Sequence, residues 1–370
     1  MQLSSEDSLR LNVLLNQDLQ ALRIDESKMI IYGLSEKGEA KIQLNPNCRD
    51  DRYLKIIKEL ISSKILGSPG GYPVFLRRWT RMGQARDESL GRLLQLGEPE
   101  AVIAVVHAGG LTNELARRAW WAMPTADNAR CMLQKQAIVE GDMGVELAEF
   151  LIEFLPFEEE ARDIIESVRL VLQGDLISED RRQNLWGRGQ RKNAFLVGFL
   201  FVEPDNLPLE KAPHPALHDY HEKLTTLINK GNPVARQLQR LLDAPGQAFL
   251  TTVSTVMKKP GNQDVVIALL NAMNDYFSPA LIPKQEQDIQ QIMDSVENIL
   301  QTKTEAAVDE VLQALPQARD MLFSLLVLSA IEEKIVNPIF SRSDAIGTLM
   351  RKKLEPIFAP VNQQIQQLTA

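Results

Sequence analysis

Residues 97–122 constrain the fold most, because they read as two short helices separated by a tight break. Pro99 suits the first turn of a helix, where its missing N–H would have no partner anyway. The apolar run 102–106 gives that helix a buried side, and a double glycine ends it. Thr112 is a capping residue type and opens a second helix with Trp120 on its inner face. Helix pairs of this kind, stacked in series, build an α-solenoid, whose long faces bind other molecules.

The chain beyond residue 87 predicts only helices, joined by short connections typical of antiparallel neighbours. Residues 230–235 (KGNPVA) echo residues 96–101 (LGEPEA), but no strict period follows. The predicted fold class is therefore mainly α, an irregular α–α superhelix that resembles a HEAT-like helical array.

The N-terminal residues predict a different local structure. Ser4 and Asp7 form a capping box that opens a helix through about Leu19. Two short runs, 28–33 and 39–44, predict the strands of a β-hairpin whose turn ends in a glycine. Together with one further helix, these elements predict a small α+β cap.

The order of these segments and the positions of the prolines predict how the chain is organised. The prediction is an α+β cap over 1–75, a first helical part over 76–202, a Pro-rich linker over 203–215 and a second helical part over 216–370. The second helical part is predicted to end in a helix over 342–354 and a short tail helix, with Pro356 near the boundary.

Charge and cysteine content exclude several classes of protein. The formal net charge of −8 argues against a general nucleic-acid binder. The two cysteines, Cys48 and Cys131, form neither a redox motif nor a disulfide framework, and they suit a reducing cytosol. The N-terminus has no secretory pattern, and the longest apolar runs are too short to cross a bilayer. We therefore expect a cytoplasmic protein that does not enter a membrane.

Arginine and tryptophan lie together in several segments, and this combination is typical of surfaces that bind carboxylates, phosphates or bases. The predicted partner-binding residues are Arg77, Arg78, Trp79, Arg81, Arg117, Arg118, Trp121 and Arg188. Three interpretations stay open. The arginines pair with the many neighbouring acidic residues, they bind an acidic protein partner, or they bind nucleic acid, for which the segment 181–192 is the candidate.

Histidines cluster at the end of the Pro-rich segment. His218 and Glu222 lie four residues apart on one predicted helix face, and His214 just precedes the helix. This spacing makes His214, His218 and Glu222 the candidate metal ligands. A polar helix start that happens to contain histidines is the alternative, since metal sites usually draw ligands from more than one element.

No catalytic triad, nucleophile elbow or phosphate-binding motif occurs in the chain, and we predict no bound cofactor. Cys131 lies near Arg130 and Lys135, whose charges would favour a thiolate, so a reactive thiol is one alternative and a half-buried structural cysteine is the other. His107 is predicted to lie within the helical core.

Several strings together resemble one protein family. They are SSEDSLRLNVLL, QLNPNCRDDRYL, GSPGGYPVFLRRWTRMGQARDESL, GEPEAVIAVVHAGGLTNELARRAWWAMPTADNARCML and AEFLIEFLPFEEE. They resemble the DsrS family, soluble proteins encoded with the dissimilatory sulfite reductase genes of sulfur-oxidising bacteria. The likeness is densest over residues 1–202. It implies a cytoplasmic role in the oxidation of stored sulfur, but no reaction and no active-site residues.

We therefore expect a non-catalytic accessory or scaffold protein of cytoplasmic sulfur oxidation. Its partner would be a sulfur carrier or the sulfite reductase, docked on the Arg/Trp-rich helix face. The alternatives are a thiol- or metal-dependent sulfur-relay protein and a regulator that binds nucleic acid, whose affinity would fall steeply with salt.

Overall fold

The computed structural model describes residues 3–67, 87–277, 288–342 and 347–369. Within these ranges the chain is mainly α-helical, with one small antiparallel sheet near the N-terminus. The predicted fold class, mainly α with a small N-terminal α+β part, is confirmed. The chain divides into two compact units, Met1–Phe154 and Leu155–Ala370.

The first unit opens with an α+β arrangement. Its elements are α1 (Ser5–Leu15), β1 (Leu19–Asp25), β2 (Ile30–Ser35), β3 (Gly38–Gln43) and α2 (Asp50–Leu66). Ser4 accepts a hydrogen bond from the Asp7 N–H and caps α1, as predicted. The strands are antiparallel in the order β1–β2–β3, with β2 in the centre.

The structure confirms the predicted hairpin as β2 and β3 and adds a strand that was not predicted. Gly38 takes a φ of 112° at the turn, as its place there requires. Helix α1 ends at Leu15, however, and the prediction of a helix through Leu19 was wrong. The sequence of β1, LQALRID, has apolar residues at spacings of two and three, so it fits either period, and pairing with β2 decides the outcome.

Helices α1 and α2 share a core with the sheet. The buried members of this core include Leu11, Leu14, Leu22, Ile31, Ile42, Tyr53, Ile57 and Ile61. Gly33 in β2 lets α1 approach closely, since a Cβ atom there would lie 2.9 Å from Leu14 Cδ1. The buried carboxylate of Asp7 accepts hydrogen bonds from Tyr53 Oη at 2.5 Å and from the Asn45 N–H at 2.8 Å. These bonds fasten the start of α1 to α2.

Short helices complete the first unit. They are α3 (Asp87–Leu94), α4 (Pro99–His107), α5 (Asn113–Ala122), α6 (Ala126–Leu133), α7 (Gln136–Val139) and α8 (Asp142–Phe154). Pro99 occupies the first turn of α4 and Thr112 caps α5, both as predicted. Trp120 is buried and meets Phe150 of α8 edge to face, so it belongs to the helical core.

The second unit is entirely helical in its described residues. Its α-helices are α9 (Ala161–Val171), α10 (Glu179–Arg188), α11 (Ala194–Val202), α12 (Ala216–Asn229), α13 (Pro233–Leu242), α14 (Ala244–Lys258), α15 (Gln263–Phe277), α16 (Ile289–Thr302), α17 (Ala306–Ala314), α18 (Arg319–Ala330), α19 (Asn337–Phe340) and α20 (Gly347–Leu368). Single 3₁₀ turns span Leu155–Phe157, Pro316–Ala318 and Glu333–Val336.

Helix α11 lies at the centre of the packing in the second unit. Every residue from Ala194 to Leu200 is buried, which explains the apolar run AFLVGFLFV. The helix packs against α9, α10, α14 and α15. A regular solenoid repeat contacts only its neighbours in sequence, so these contacts account for the irregularity of the array.

The Pro-rich segment 203–215, predicted as a linker, lies within the second unit and is held at several points. Arg182 Nε donates to Glu203 Oε2 at 2.6 Å, and Arg182 also donates to the Asn206 carbonyl oxygen. Arg240 donates to both carboxylate oxygens of Asp205, at 2.8 and 2.6 Å. The His214 N–H donates to the Leu242 carbonyl oxygen at 2.7 Å.

The C-terminal helix differs from the prediction of two helices separated near Pro356. Helix α20 runs continuously from Gly347 to Leu368 with Pro356 and Pro360 inside it. A proline inside a helix costs about 3 kcal/mol. The buried residues Leu354, Phe358, Val361, Ile365 and Leu368 form one face across both prolines, and α20 packs on α14 and α18. Tertiary packing thus overrides the local signal to end the helix.

No single helix among the described residues is long and apolar enough to span a membrane. Among the same described residues, one pair of helices, Ala306–Ala314 with Pro316–Ala330, reaches the required length and composition together, and it is bent by 118°.

Candidate docking surface and thiol pair

Some residues of the predicted Arg/Trp face lie outside the part of the chain that the structure describes. Arg77, Arg78, Trp79 and Arg81 lie outside the described residues. Arg117, Arg118 and Trp121 lie on the solvent side of α5 in the first unit, and Arg188 is the last residue of α10 in the second unit. The structure therefore brings three of the eight predicted residues together on one helix.

The guanidinium groups of Arg117 and Arg118 both bind the carboxylate of Glu114. Arg117 Nη1 lies 2.7 Å from Glu114 Oε2, and Arg118 Nε lies 2.9 Å from Glu114 Oε1. Arg117 also lies 3.7 Å from Asp142. The Arg117 side chain is 50% exposed and that of Arg118 is 25% exposed. These pairs agree with the interpretation that the arginines associate with neighbouring acidic residues.

Trp121 joins α5 to the sheet. Its Nε1 donates to Glu39 Oε2 at 3.0 Å. The Arg23 guanidinium lies 5.1 Å from the centre of the Trp121 ring and 4.6 Å from that of Tyr32, so it sits in cation–π contact with both. Arg23 was not predicted, because only the pairing of β1 with β2 places it opposite Tyr32. We call the set Arg23, Tyr32, Arg117, Arg118 and Trp121 the Trp121 surface.

Arg188 has a different environment in the second unit. Its Nε donates to Asn184 Oδ1 at 3.0 Å, one turn earlier in α10, while its Nη1 is buried without a hydrogen-bond partner in the described part of the chain. Trp186 meets Phe199 of α11 edge to face. The side chain of Trp186 therefore packs on the central helix of the unit.

The structure does not group the three candidate metal ligands. His214 Nδ1 accepts a hydrogen bond from the Ala216 N–H at 3.1 Å, so this nitrogen pairs with the first N–H of α12. Burial lowers the pKa of His214. His218 and Glu222 are exposed on α12. Across the four described ranges, no three His, Cys, Asp or Glu residues are grouped in a way that could hold a metal ion.

The structure brings together a thiol and an imidazole, those of Cys131 and His107, that the sequence did not predict to be in contact. Cys131 Sγ in α6 lies 3.4 Å from His107 Nδ1, at the end of α4, and 3.7 Å from the Val106 carbonyl oxygen. His107 is exposed, so the prediction that it lies within the helical core was wrong. The packing of α4 on α6 creates this contact between residues 24 positions apart. Burial raises the pKa of the Cys131 thiol, and the charge of Lys135 opposes this rise. A proton can pass directly from the thiol to the imidazole at this distance.

No protein-family model matches the chain, and no curated protein or solved structure does so either. The resemblance to the DsrS family stays a prediction.

Proposed function

We propose that this protein is a non-catalytic accessory protein of cytoplasmic sulfur oxidation that docks an acidic protein partner on the Trp121 surface. One observation carries the proposal. Helix α5 presents two guanidinium groups, those of Arg117 and Arg118, on one exposed carboxylate, and Trp121 follows about one turn later in the same helix. The link to sulfur oxidation rests on the resemblance to the DsrS family.

Intramolecular ion pairs leave this surface available to a partner. An exposed ion pair contributes only about 0–1 kcal/mol, so carboxylates of a partner can replace Glu114 at little cost. The short, paired helix already orders the arginines, which lowers the entropy lost on binding. Arginine and tryptophan are also the residue types that most often dominate the binding energy of protein interfaces.

Titration calorimetry with purified sulfite reductase and purified sulfur-carrier protein tests the proposal. We expect one of them to bind, and the double variant Arg117→Gln, Arg118→Gln to raise its Kd about tenfold or more. The affinity should also fall as salt is added, because charged contacts are screened.

The matched control is the double variant Arg52→Gln, Lys55→Gln. It removes two exposed cations, three residues apart, from α2 of the same unit. Circular dichroism verifies that both double variants fold. If neither protein binds, or if both variants bind equally well, the Trp121 surface is not the docking site.

The contact between Cys131 and His107 favours a second candidate function, a thiol-dependent sulfur relay. In this reaction the Cys131 thiol attacks the outer sulfur of a donor persulfide, R–S–SH. The Cys131–S–SH bond forms, the donor S–S bond breaks, and His107 passes the thiol proton to the leaving thiolate, which departs as R–SH. The raised pKa of Cys131 makes deprotonation by His107 necessary for this step.

Mass spectrometry after incubation with a small-molecule persulfide tests the relay. A relay requires one added sulfur atom on Cys131, loss of this product in Cys131→Ser, and slower formation in His107→Ala. Cys48→Ser is the matched control and should not change the yield. Equal sulfur addition to Cys48 and Cys131, or none to either, rules the relay out.

A further inference from the structure

The outer edge of the small sheet carries main-chain groups without strand partners. The Leu44 N–H donates to the Met29 carbonyl oxygen across the hairpin. Because main-chain groups alternate in direction along an antiparallel strand, Ala40 and Ile42 also direct theirs to β2. Glu39, Lys41 and Gln43 therefore direct their N–H and C=O groups away from β2, where the described residues offer them no strand.

An apolar groove runs along this same edge. One wall is α1, with Leu9, Val13 and Gln17 at spacings of four, and the floor includes Ala40 and Ile42 of β3. Leu9 is 67% exposed and Val13 is 56% exposed, although both lie next to the core that α1 covers. Exposed aliphatic side chains beside an unpaired strand edge are typical of a surface that another strand covers.

The charged residues along the outer edge of β3 indicate which kind of strand can pair with it. Glu39 and Lys41 flank Ala40, so the sequence Glu-Ala-Lys is complementary to itself when two copies run antiparallel. Glu39 binds Trp121 and Arg23 through Oε2, and its Oε1 has no partner among the described residues. That oxygen can accept a hydrogen bond from the ammonium group of a lysine on a neighbouring strand.

We propose that two copies of this chain pair through β3 into a continuous six-stranded sheet, with the Ala40 residues opposite each other on the two-fold axis. In this register Glu39 of each copy lies opposite Lys41 of the other. Both of these pairs exchange main-chain N–H···O bonds. The small Ala40 side chains let the two α1 helices approach, so that Leu9 and Val13 of both copies come together over the junction.

The register follows from the charges. Moving one copy by a single residue would direct the main-chain groups of one strand away from the other. Moving it by two residues places Lys41 opposite Lys41 or Glu39 opposite Glu39, and like charges directly opposite each other destabilise a strand pair.

Variants that reverse the charge at position 39 or 41 test the proposal. Light scattering and sedimentation equilibrium measure whether each variant, and their mixture, forms dimers. The full chain should be a dimer at micromolar concentration. In a homodimer of Lys41→Glu, Glu39 lies opposite a second glutamate, and in a homodimer of Glu39→Lys, Lys41 lies opposite a second lysine. The dissociation constant of each homodimer should therefore be about tenfold higher than that of the unmodified dimer. Their mixture restores both opposite-charge pairs and should form a heterodimer.

Lys55→Glu is the matched control for charge, because it makes the same change at an exposed position on α2. It should leave the dimer unchanged. A full chain that is monomeric throughout overturns the proposal, whether or not another protein binds the edge. A mixture of the two edge variants that stays monomeric overturns it as well.

Disulfide cross-linking tests the register independently. In a chain with Cys48→Ser and Cys131→Ser, Ala40→Cys places two thiols opposite each other, and oxidation should join the copies. Gln43→Cys is exposed on the same strand but lies far from its counterpart in this register, so it should not cross-link. Equal cross-linking at both positions would overturn the proposed register.

Discussion

The guanidinium group of Arg240 lies 3.8 Å from the centre of the Tyr276 ring, and its Nη1 donates to the Tyr276 carbonyl oxygen at 2.9 Å. The same guanidinium binds both carboxylate oxygens of Asp205. One side chain of α13 thus fastens α15 to the Pro-rich segment 203–215. Proline content alone suggests a linker, but the contacts of Arg240 make this segment part of the second unit.

Arg240→Lys should destabilise the second unit by about 2 kcal/mol, because lysine loses the paired geometry to Asp205 and the planar contact with Tyr276. Limited proteolysis should then cut within 203–215 sooner than in the unmodified chain. Arg236→Lys, at an exposed position of the same helix, is the control and should change neither result. Equal protease resistance in both variants would show that Arg240 does not hold the segment.

Tyr276 should make the protein less stable at alkaline pH. Burial raises the pKa of Tyr276 well above its usual 10.0. Above pH 10 the unfolded chain therefore loses the phenol proton while the folded chain keeps it, so the free energy of unfolding falls as pH rises. Tyr276→Phe removes the part of this pH dependence that comes from the phenol.

Urea unfolding between pH 8 and 11 measures the effect. The difference in free energy of unfolding between the unmodified chain and Tyr276→Phe should be constant below pH 9. Above pH 10 it should shift in favour of the variant by about 1 kcal/mol per pH unit. A difference that stays constant over the whole range would contradict the raised pKa.

Most helices are predictable from the sequence because their signals are local. Thr112 and Asn232 accept hydrogen bonds as caps in the structure, and Pro99 and Pro233 lie in first turns. A cap and a first-turn proline depend on residues within four positions, so their effect does not need the rest of the fold.

The elements that escaped prediction depend on distant partners. Strand β1 exists because β2 pairs with it, and α20 continues through Pro356 because α14 and α18 cover its apolar face. The candidate site shows the same limit. The sequence places Cys131 and His107 on different helices, and only the packing of α4 on α6 brings them to 3.4 Å.

His214 should contribute to stability by accepting the first N–H of α12. His214→Ala removes the acceptor for the Ala216 N–H and should lower the free energy of unfolding by about 1 kcal/mol. His214→Asn keeps an acceptor and should lose less. His218→Ala, on the exposed side of the same helix, should change the free energy by less than about 0.5 kcal/mol.

The same variants test the predicted metal site in a second way. If His214, His218 and Glu222 held a metal ion, His218→Ala would destabilise the protein as much as His214→Ala does and would lower its metal content. Thermal unfolding together with elemental analysis of the purified protein separates the two roles.

Gly198 should tolerate no side chain, because it lies where α11 crosses α9. A Cβ atom at Gly198 would lie 2.5 Å from Val168 Cγ1 and 3.3 Å from the Ile165 carbonyl oxygen. Gly198→Ala should therefore lower the free energy of unfolding by about 1–3 kcal/mol, since the helices must separate or the valine must leave its rotamer.

Gly187 is the matched control for this prediction. It is also helical, as the next-to-last residue of α10, but a Cβ atom there would have no neighbour within 4 Å. Gly187→Ala should stabilise the protein by up to about 1 kcal/mol, because alanine loses less conformational entropy in a helix than glycine does. Chemical denaturation of both variants therefore yields changes of opposite sign if close contact between α9 and α11 is what requires glycine at 198. Two changes of the same sign would mean that helix propensity, and not the crossing, governs both positions.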